Sequence, residues 1–252
     1  MKKNLLIFSL LITISAPKLL AQEYSLSGWV ALFYTQKFTK KWGVSVDAQS
    51  RSANNYAMWD HAYKSNPGTV NYDYVTTLLL RPSLNYYFAN KMISVGYVYI
   101  ATNSWATDSA KTFNPESRSW EQFSINTKIG KAAILQQRFR LEQRFLANTT
   151  AKQTPYFSQR LRYFARAVIP LKKTAVFTNG VFVGLQNEVF ANVQNNHNVN
   201  YHLFDQNRAY VSLGFRMKKR ADLEFGYLNQ FVQQKTSTYF NHVIQAAIYT
   251  RF

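Results

Sequence analysis

The sequence contains no cysteine and has few residues that favour turns, with nine glycines and six prolines in 252 residues. The absence of cysteine excludes disulfide scaffolds, thiolate metal sites and cysteine nucleophiles. Acidic residues are also scarce, with 12 against 30 basic ones, for a formal net charge of +18. Charged residues nevertheless make up only 17% of the chain, against 16% aromatic residues, which excludes a disordered basic tail. The 17 tyrosines and 19 phenylalanines favour strands, because aromatic side chains fit a pleated surface.

Residues 1–21 have the layout of a secretory signal peptide. Lys2 and Lys3 precede the apolar run Leu5–Ala16, and cleavage is expected after Ala21. The run is short for a membrane span, and a proline and a lysine interrupt its end. Its removal leaves 27 basic and 12 acidic residues, a net charge of +15, on residues 22–252. We expect these residues to form a single domain.

The remainder of the chain follows a two-residue rhythm and contains no long apolar run. In residues 134–145 the charges Arg138, Arg140, Glu142 and Arg144 all fall on even positions, whereas the odd positions carry mainly leucine and phenylalanine. In a helix these four charges would spread over two opposite faces, but in a strand they share one face. The same alternation recurs in residues 44–51, 157–169 and 208–217.

The alternating segments run about ten to fourteen residues, roughly twice the length of an ordinary globular strand. Tilted strands of this length cross the hydrocarbon layer of a bilayer, which needs about nine to eleven residues. We therefore predict an all-β fold, a closed antiparallel transmembrane β-barrel of 10 to 12 strands with a polar, arginine-rich lumen. Eleven candidate strands are recognised: Ser27–Lys37, Trp42–Ser52, Val75–Phe88, Met92–Thr102, Ser119–Ile129, Ala133–Leu146, Tyr156–Ile169, Ala175–Val189, Asn207–Met217, Asp222–Gln233 and Tyr239–Phe252.

Short and long connections alternate along the chain, as in bacterial outer-membrane barrels. Short turns are expected near residues 38–41, 89–91, 130–132, 170–174 and 218–221, and longer polar links near residues 53–74, 103–118, 147–155 and 190–206. Because bacterial barrels normally have even strand counts, two alternatives stay open. Either Ser27–Lys37 lies apart from a ten-stranded wall, in the lumen or the periplasm, or a twelfth strand exists. Pro82 favours an edge or a bulge, since proline lacks a ladder donor.

The end of the chain resembles the terminal strand that barrel assembly machinery recognises in outer-membrane proteins. Ile244, Ile248 and Phe252 share one face of the last candidate strand. Thr250 departs from the pattern, because an apolar or aromatic residue is usual at its position. Together with the signal segment, this strand predicts a location in the cell outer membrane.

Several short motifs are spread along the chain: Trp29, Lys40–Trp42, Trp120–Phe123, Arg140–Phe145, Arg160–Tyr163, Asn187–Phe190, Phe204–Arg208, Gly226–Gln230, Asn241 and His242. Together they resemble an uncharacterised bacterial family, the domain of unknown function 2490, whose members are predicted outer-membrane barrels. The resemblance covers most of residues 22–252. It implies an architecture and a location, and it brings no reaction or ligand with it.

The strongest functional constellation is a set of charged residues that are expected to face the lumen. The set consists of Arg138, Arg140, Glu142, Arg144, Arg160, Arg162, Arg166, Glu188, Arg208, Arg216 and Glu224. Two functions follow from it. Rings of arginine would make a small pore prefer anions. Alternatively, the charges pair across neighbouring strands and fill a structural or surface-binding barrel, which the modest width of such a barrel favours.

The expected partners are outer-membrane lipids, the barrel assembly machinery and a small anionic solute. Nucleic acid is not expected, despite the net charge, because the arginines lie on strand faces of an exported chain.

Histidine gives only weak signals for chemistry. His242 beside Asn241 would suit a lipid-modifying barrel enzyme, but no recognisable nucleophile motif accompanies it. His197 and His202 have only Asp205 as a neighbouring carboxylate, which is a poor basis for a metal site. We therefore expect a non-enzymatic barrel without a metal or cofactor. A lipid-modifying outer-membrane enzyme and a soluble periplasmic lipid-binding barrel are the alternatives.

The tryptophans are expected mostly near segment ends or in loops, where they would form an aromatic girdle at the membrane interfaces. They are Trp29, Trp42, Trp59, Trp105 and Trp120. Packing in a core would predict similar places.

Overall fold

The structure is a computed structural model, and it describes residues 22–54, 74–106, 109–129, 132–146, 155–172, 176–218 and 220–252. The predicted signal peptide, residues 1–21, lies outside the described residues. The strands are β1 Gln22–Lys37, β2 Trp42–Asn54, β3 Tyr74–Phe88, β4 Lys91–Ala106, β5 Ser109–Ile129, β6 Ala133–Leu146, β7 Tyr156–Pro170, β8 Gly180–Gln194, β9 Phe204–Met217, β10 Ala221–Gln233 and β11 Thr238–Arg251. A single 3₁₀ turn, Asn196–Asn198, precedes β9 in the described residues. None of the described helical residues forms a helix long and apolar enough to cross a membrane.

The strands form one closed barrel, and the prediction of an all-β barrel with 10 to 12 strands is confirmed. Each strand from β1 to β10 pairs antiparallel with the next one along the chain. The barrel closes where β1 pairs with β11, and this pair is parallel, from Gln22 opposite Thr238 to Thr35 opposite Arg251. The prediction of an entirely antiparallel barrel is therefore wrong at this seam. An odd number of up-and-down strands makes the first and last strands run in the same direction.

The same seam answers the question of strand number. Ser27–Lys37 is part of β1, which is hydrogen-bonded on both sides and belongs to the wall. It lies neither in the lumen nor apart from a ten-stranded wall, and the described residues contain no twelfth strand. Both alternatives assumed an even count, which a parallel closing pair makes unnecessary.

The connections divide the barrel into a short-turn rim and a long-loop rim. The short-turn rim carries the links after β1, β3, β5, β7 and β9 together with the end of β11, and the long-loop rim carries the others. Two predicted connections need correction. The expected long link at residues 103–118 is mostly strand, because β4 continues to Ala106 and β5 begins at Ser109. The expected short turn at residues 170–174 is longer, because β8 begins only at Gly180.

Pro82 lies inside β3 without a bulge. The pairing of β3 with β4 has the same register on both sides of it, with Leu80 opposite Tyr99 and Ser83 opposite Gly96. The ladder is interrupted between these pairs, as expected for a residue without a backbone N–H. The proline therefore costs pairing on the β4 side and leaves the wall continuous.

Candidate functional site

The outer face of the barrel is apolar on every strand. Each of the eleven strands contributes at least one large hydrophobic side chain that is more than a third exposed, such as Val30 on β1, Leu80 on β3, Val95 on β4 and Leu213 on β9. Soluble monomers rarely expose contiguous apolar patches larger than a few hundred Å². We call this surface the apolar belt.

Aromatic side chains pack against one another at both edges of the apolar belt. At the short-turn rim, Trp42 meets Tyr86 edge-on with ring centroids 5.0 Å apart. At the long-loop rim, the ring of Phe240 lies 5.6 Å from that of Tyr24 and 4.9 Å from that of Phe231. Aromatic rings at the two edges of an apolar band are typical of barrels that sit in a bilayer.

Polar side chains interrupt the belt in places, for example on β5 and β6. Glu121 accepts a hydrogen bond of 3.0 Å from the amide of Gln143, whose oxygen in turn accepts one of 3.1 Å from the hydroxyl of Ser119. These three exposed groups bond one another across neighbouring strands, which lowers the cost of their position.

The opposite face of the same strands is polar and buried. The structure places all eleven of the predicted lumen residues on this inner face, where each makes a hydrogen bond or an ion pair. Arg166 pairs with Glu224 and donates to the hydroxyl of Tyr249 at 2.9 Å, and Arg216 forms a two-point contact with Asp222 at 2.8 Å. The interior is therefore held by charge-assisted hydrogen bonds between strands.

Glu142 is the centre of this interior and is fully buried. Its carboxylate accepts from Arg160 at 2.7 Å, from Arg118 at 3.3 Å and from Arg162. Arg162 also donates to Glu188 at 2.7 Å. One carboxylate thus gathers three guanidinium groups from the two neighbouring strands β5 and β7.

The cluster continues toward the long-loop rim with the help of a β-bulge. Gln206 lies opposite Phe190 and Phe204 opposite Ala191, which leaves Asp205 between them without a partner in the ladder. The bulge turns the carboxylate of Asp205 inward, where it accepts from Arg160 at 2.7 Å. Bulges re-aim side chains in this way. We define the central network as Glu142, Glu188, Asp205, Arg118, Arg160 and Arg162.

The other half of the lumen, toward the short-turn rim, is a cavity of about 470 Å³. Most of its lining residues lie between the middle of a strand and its short-turn end, whereas Arg51 on β2 and Arg208 on β9 lie on the long-loop side of the middle of their strands. Trp29, Trp120 and Arg140 line its inner end, and Thr35 and Asn126 line its mouth. Glu142, Arg118 and Arg160 are not among its lining residues. The cavity therefore ends at the central network, and we call it the vestibule.

The vestibule carries a surplus of positive charge. Nine arginines and three carboxylates line it. Glu142 and Glu224 lie behind its wall and pair with Arg162 and Arg166, so the surplus falls from six to four. The cations without a carboxylate partner within 4.0 Å among the described residues are Arg51 and Arg208. The arrangement can attract and hold small anions.

The family model described as "Protein of unknown function (DUF2490)" matches residues 26–241, which include all eleven strands in whole or in part. The chain belongs to this family. No curated protein matches the chain.

In this DUF2490 protein, several residues of the lumen were missed from the sequence. Arg51 and Asp47 lie on the polar face of the alternating segment 44–51. This alternation could have assigned both residues to the lumen. Arg81 follows a run of three leucines and lay outside any visible pattern. Arg118 was assigned to a loop, although it donates to Glu142 inside the barrel.

Two of the five tryptophans do not lie in the predicted aromatic girdle. Trp29 and Trp120 lie on the inner face and are buried. Arg51 stacks 4.3 Å from the ring of Trp29, and Arg140 stacks 4.1 Å from the ring of Trp120. Rings that face inward in the middle of a strand stabilise cations by cation–π contact, which a girdle residue would not do. Trp42 does lie at a rim, and Trp59 and the side chain of Trp105 lie outside the described residues.

The described histidines lie on the outer face of β11 and in the segment before β9. His242 lies on the outer face, with Nδ1 2.6 Å from the hydroxyl of Tyr227. Asn241, its neighbour in sequence, points inward and accepts from Ser25 and Ser27. The proposed pair is thus split between the two faces of β11. His197 and His202 are exposed, and no group of three histidine or acidic side chains in the described part of the chain could hold a metal ion.

Proposed function

We propose that this DUF2490 protein is an integral, non-enzymatic β-barrel of the bacterial outer membrane, whose lumen is closed at its centre and open toward one rim. The observation that carries the proposal is the apolar belt. Hydrophobic side chains face outward on all eleven strands, while arginine and glutamate face inward. A water-soluble barrel would have the opposite distribution, because its interior would be the apolar side.

The dimensions of the wall support the same proposal. The shortest strands have 13 residues, which at about 3.3 Å per residue and a tilt near 40° rise roughly 33 Å. The apolar band of outer-membrane barrels is about 25 Å tall. Closure of the barrel also satisfies every wall strand on both edges, as hydrocarbon requires of a polar backbone.

Orientation and assembly follow from the rims and the last strand. Short turns face the periplasm in outer-membrane barrels, so the vestibule would open toward the periplasm and the long loops toward the outside. Ile244 and Ile248 project into the apolar belt, and Phe252 packs beside Tyr34 at the short-turn rim. These three residues would serve as the signal for the assembly machinery, and the belt would contact outer-membrane lipids.

The central network favours the filled barrel over the open pore. Glu142, Arg160 and Arg162 form ion pairs near the middle of β6 and β7, and neither Glu142 nor Arg160 lines the cavity. Closer to the long-loop rim, Asn241 bonds Ser25 and Ser27, and Asn200 donates to the carbonyl of Gln233 at 2.8 Å.

Two matched leucine variants test the membrane location. Leu213 lies in the belt on β9 and is 60% exposed, and Leu203 lies in the loop before β9 and is 65% exposed. In a bilayer, Leu213→Arg should destabilise the folded barrel by about 2–4 kcal/mol, whereas Leu203→Arg should change its stability little. The measurement is the yield of folded protein in the outer-membrane fraction and the free energy of unfolding in lipid vesicles.

The proposal fails if the full-length protein is released in soluble form without detergent. It also fails if the two leucine variants behave alike in vesicles. The first result would favour a soluble periplasmic carrier.

A further inference from the structure

We infer that the vestibule contains a binding site for a small oxyanion with at least two negative charges, and that Arg51 and Arg208 are its main binding residues. The inference rests on the proposed membrane barrel only for the side from which the anion enters. The site itself follows from the geometry of the inner face.

The two arginines meet at one aromatic ring. The guanidinium of Arg51 lies 4.3 Å from the ring centroid of Trp29, and that of Arg208 lies 5.2 Å from it. Their other partners are neutral, since Arg51 donates to Gln49 at 2.6 Å and Arg208 to Gln206 at 3.4 Å. Two positive charges thus lie beside one indole ring, and neither forms an ion pair within 4.0 Å in the described residues, although Glu188 lies opposite Arg208 on β8.

A second observation is the set of unused donors around the same cavity. Nε of Arg208, Nε of Arg81 and Nη1 of Arg140 are buried and have no hydrogen-bond partner among the described residues. Arg140 is only 3% exposed, and Arg81 only 6%. All three side chains line the vestibule. These guanidinium groups therefore retain donor capacity that the described residues do not use.

Electrostatics explains why such a site needs a ligand. Arg51 is repelled by Arg208, Arg81, Arg118 and Arg162. Burying like charges beside one another costs stability unless a counter-charge compensates them. Elsewhere in the barrel the sequence supplies that counter-charge, as Glu142 and Glu188 do. Arg51 has no carboxylate partner within 4.0 Å among the described residues, and Arg208 has only Glu188 opposite it, which already pairs with Arg138 and Arg162, so an external anion would complete the site.

The chemistry of the donors defines the class of ligand. Guanidinium groups bind phosphate and carboxylate oxygens in two-point contacts, and two or more of them favour a ligand with at least two charges. A volume of about 470 Å³ falls in the range of small-molecule sites, so phosphate-bearing metabolites and dicarboxylates of modest size would fit with water around them. With the short turns facing the periplasm, the anion would enter from the periplasmic side.

Titration of the purified, detergent-solubilised full chain with pyrophosphate tests the site. Isothermal calorimetry at low salt should give saturable binding, with succinate weaker and acetate undetectable. Arg51→Gln and Arg208→Gln should each weaken pyrophosphate binding about tenfold or more, since each removes a charge-assisted hydrogen bond to the anion. Arg51→Lys should retain part of the affinity, because it keeps the charge and loses the planar fork.

Arg251→Gln is the matched control, because Arg251 lines the vestibule at its mouth and pairs with Asp222. It removes the same charge and should weaken binding less than threefold.

Stability separates a binding role from a structural one. Without ligand, Arg51→Gln should unfold at the same temperature as the wild type or higher, and pyrophosphate should raise the unfolding temperature of the wild type only. Equal affinity in wild type and Arg51→Gln, or no binding to a wild-type chain that floats with lipid vesicles, would overturn the inference. The second result would leave the proposed membrane location intact. Binding of pyrophosphate by a chain that does not float with vesicles would support the anion site and contradict the membrane location.

Discussion

At the scale of single residues, Glu142 is the carboxylate that joins three buried arginines in the barrel. It is fully buried and accepts hydrogen bonds from three arginines. Glu142→Gln would remove the negative charge and leave Arg118, Arg160 and Arg162 buried with one counter-charge fewer. We expect a loss of roughly 3–5 kcal/mol in the free energy of unfolding, measured by urea titration in lipid vesicles.

The control for this variant is Glu121→Gln on the outer face. Glu121 is exposed and accepts one hydrogen bond, from Gln143, so its loss should cost less than about 1 kcal/mol. Similar losses for the two variants would contradict a central role of Glu142.

A second residue-scale prediction concerns Gly96, which makes room for an indole ring. A Cβ at this position would lie 2.7 Å from Cε2 of Trp120 and 2.6 Å from the carbonyl oxygen of Pro82. Backbone and a buried ring cannot yield easily, so Gly96→Ala should destabilise the barrel by about 1–3 kcal/mol. Gly28→Ala should be close to neutral, because its Cβ would meet only Oγ of Ser52, at 3.4 Å. Thermal unfolding in detergent compares the two, and equal midpoints would refute the packing argument.

The face on which a residue lies could be predicted where odd and even positions alternate regularly, and the prediction failed where a bulge interrupts that alternation. Arg138, Arg140, Glu142 and Arg144 share even positions, so their common face was visible in the sequence. Asp205 sits at an odd position on a strand whose inward residues are even, and only the bulge turns it inward. Local bulges leave no reliable trace in composition.

At the scale of strands, the parallel pairing of β1 and β11 is the feature that most needs an independent check. Val30 and Ala246 are registered partners across this seam and both project outward. Since the chain has no cysteine of its own, Val30→Cys with Ala246→Cys should form a disulfide on mild oxidation of the folded protein.

The matched control pairs Val30→Cys with His242→Cys, four residues out of register and on the same outer face. It should stay reduced. A disulfide in the control and none in the first pair would refute the register, and would reopen the ten-stranded alternative. The assay is a mobility shift on a non-reducing gel.

Strand positions could be predicted from the sequence, but their closure could not. Alternation specifies which side chains share a face, and it is the same whether a neighbour runs parallel or antiparallel. The direction of the closing pair follows from the number of strands. The ends of β4 and β5 were also misjudged, because polar residues such as Asn103 and Glu116 belong to these strands and not to a loop.

At the scale of the whole molecule, the central network predicts a silent barrel. The wild-type protein in a planar bilayer should show no steady conductance, because Glu142 and Arg162 meet where the vestibule ends. Removing both with Glu142→Ala and Arg162→Ala takes away an ion pair together with its volume. We expect intermittent, anion-preferring currents from this double variant.

Removing another ion pair provides the control for conductance. Arg216→Ala with Asp222→Ala deletes a pair that lines the vestibule itself, in the half that is already open. This variant should remain silent. Steady currents through the wild type would instead favour the open, anion-preferring pore.

The seam between the first and last strands also dictates the order in which the molecule can be completed. Ser25 bonds Asn241 across 216 positions of the chain, so the cylinder closes only after the final strand has been made and delivered. Until then, β1 and whichever strand was added last both present bare edges, and such edges promote aggregation. Contacts this distant in sequence also form slowly. A chaperone or assembly factor that covers both edges until the seam forms would therefore reduce aggregation of the unfinished barrel.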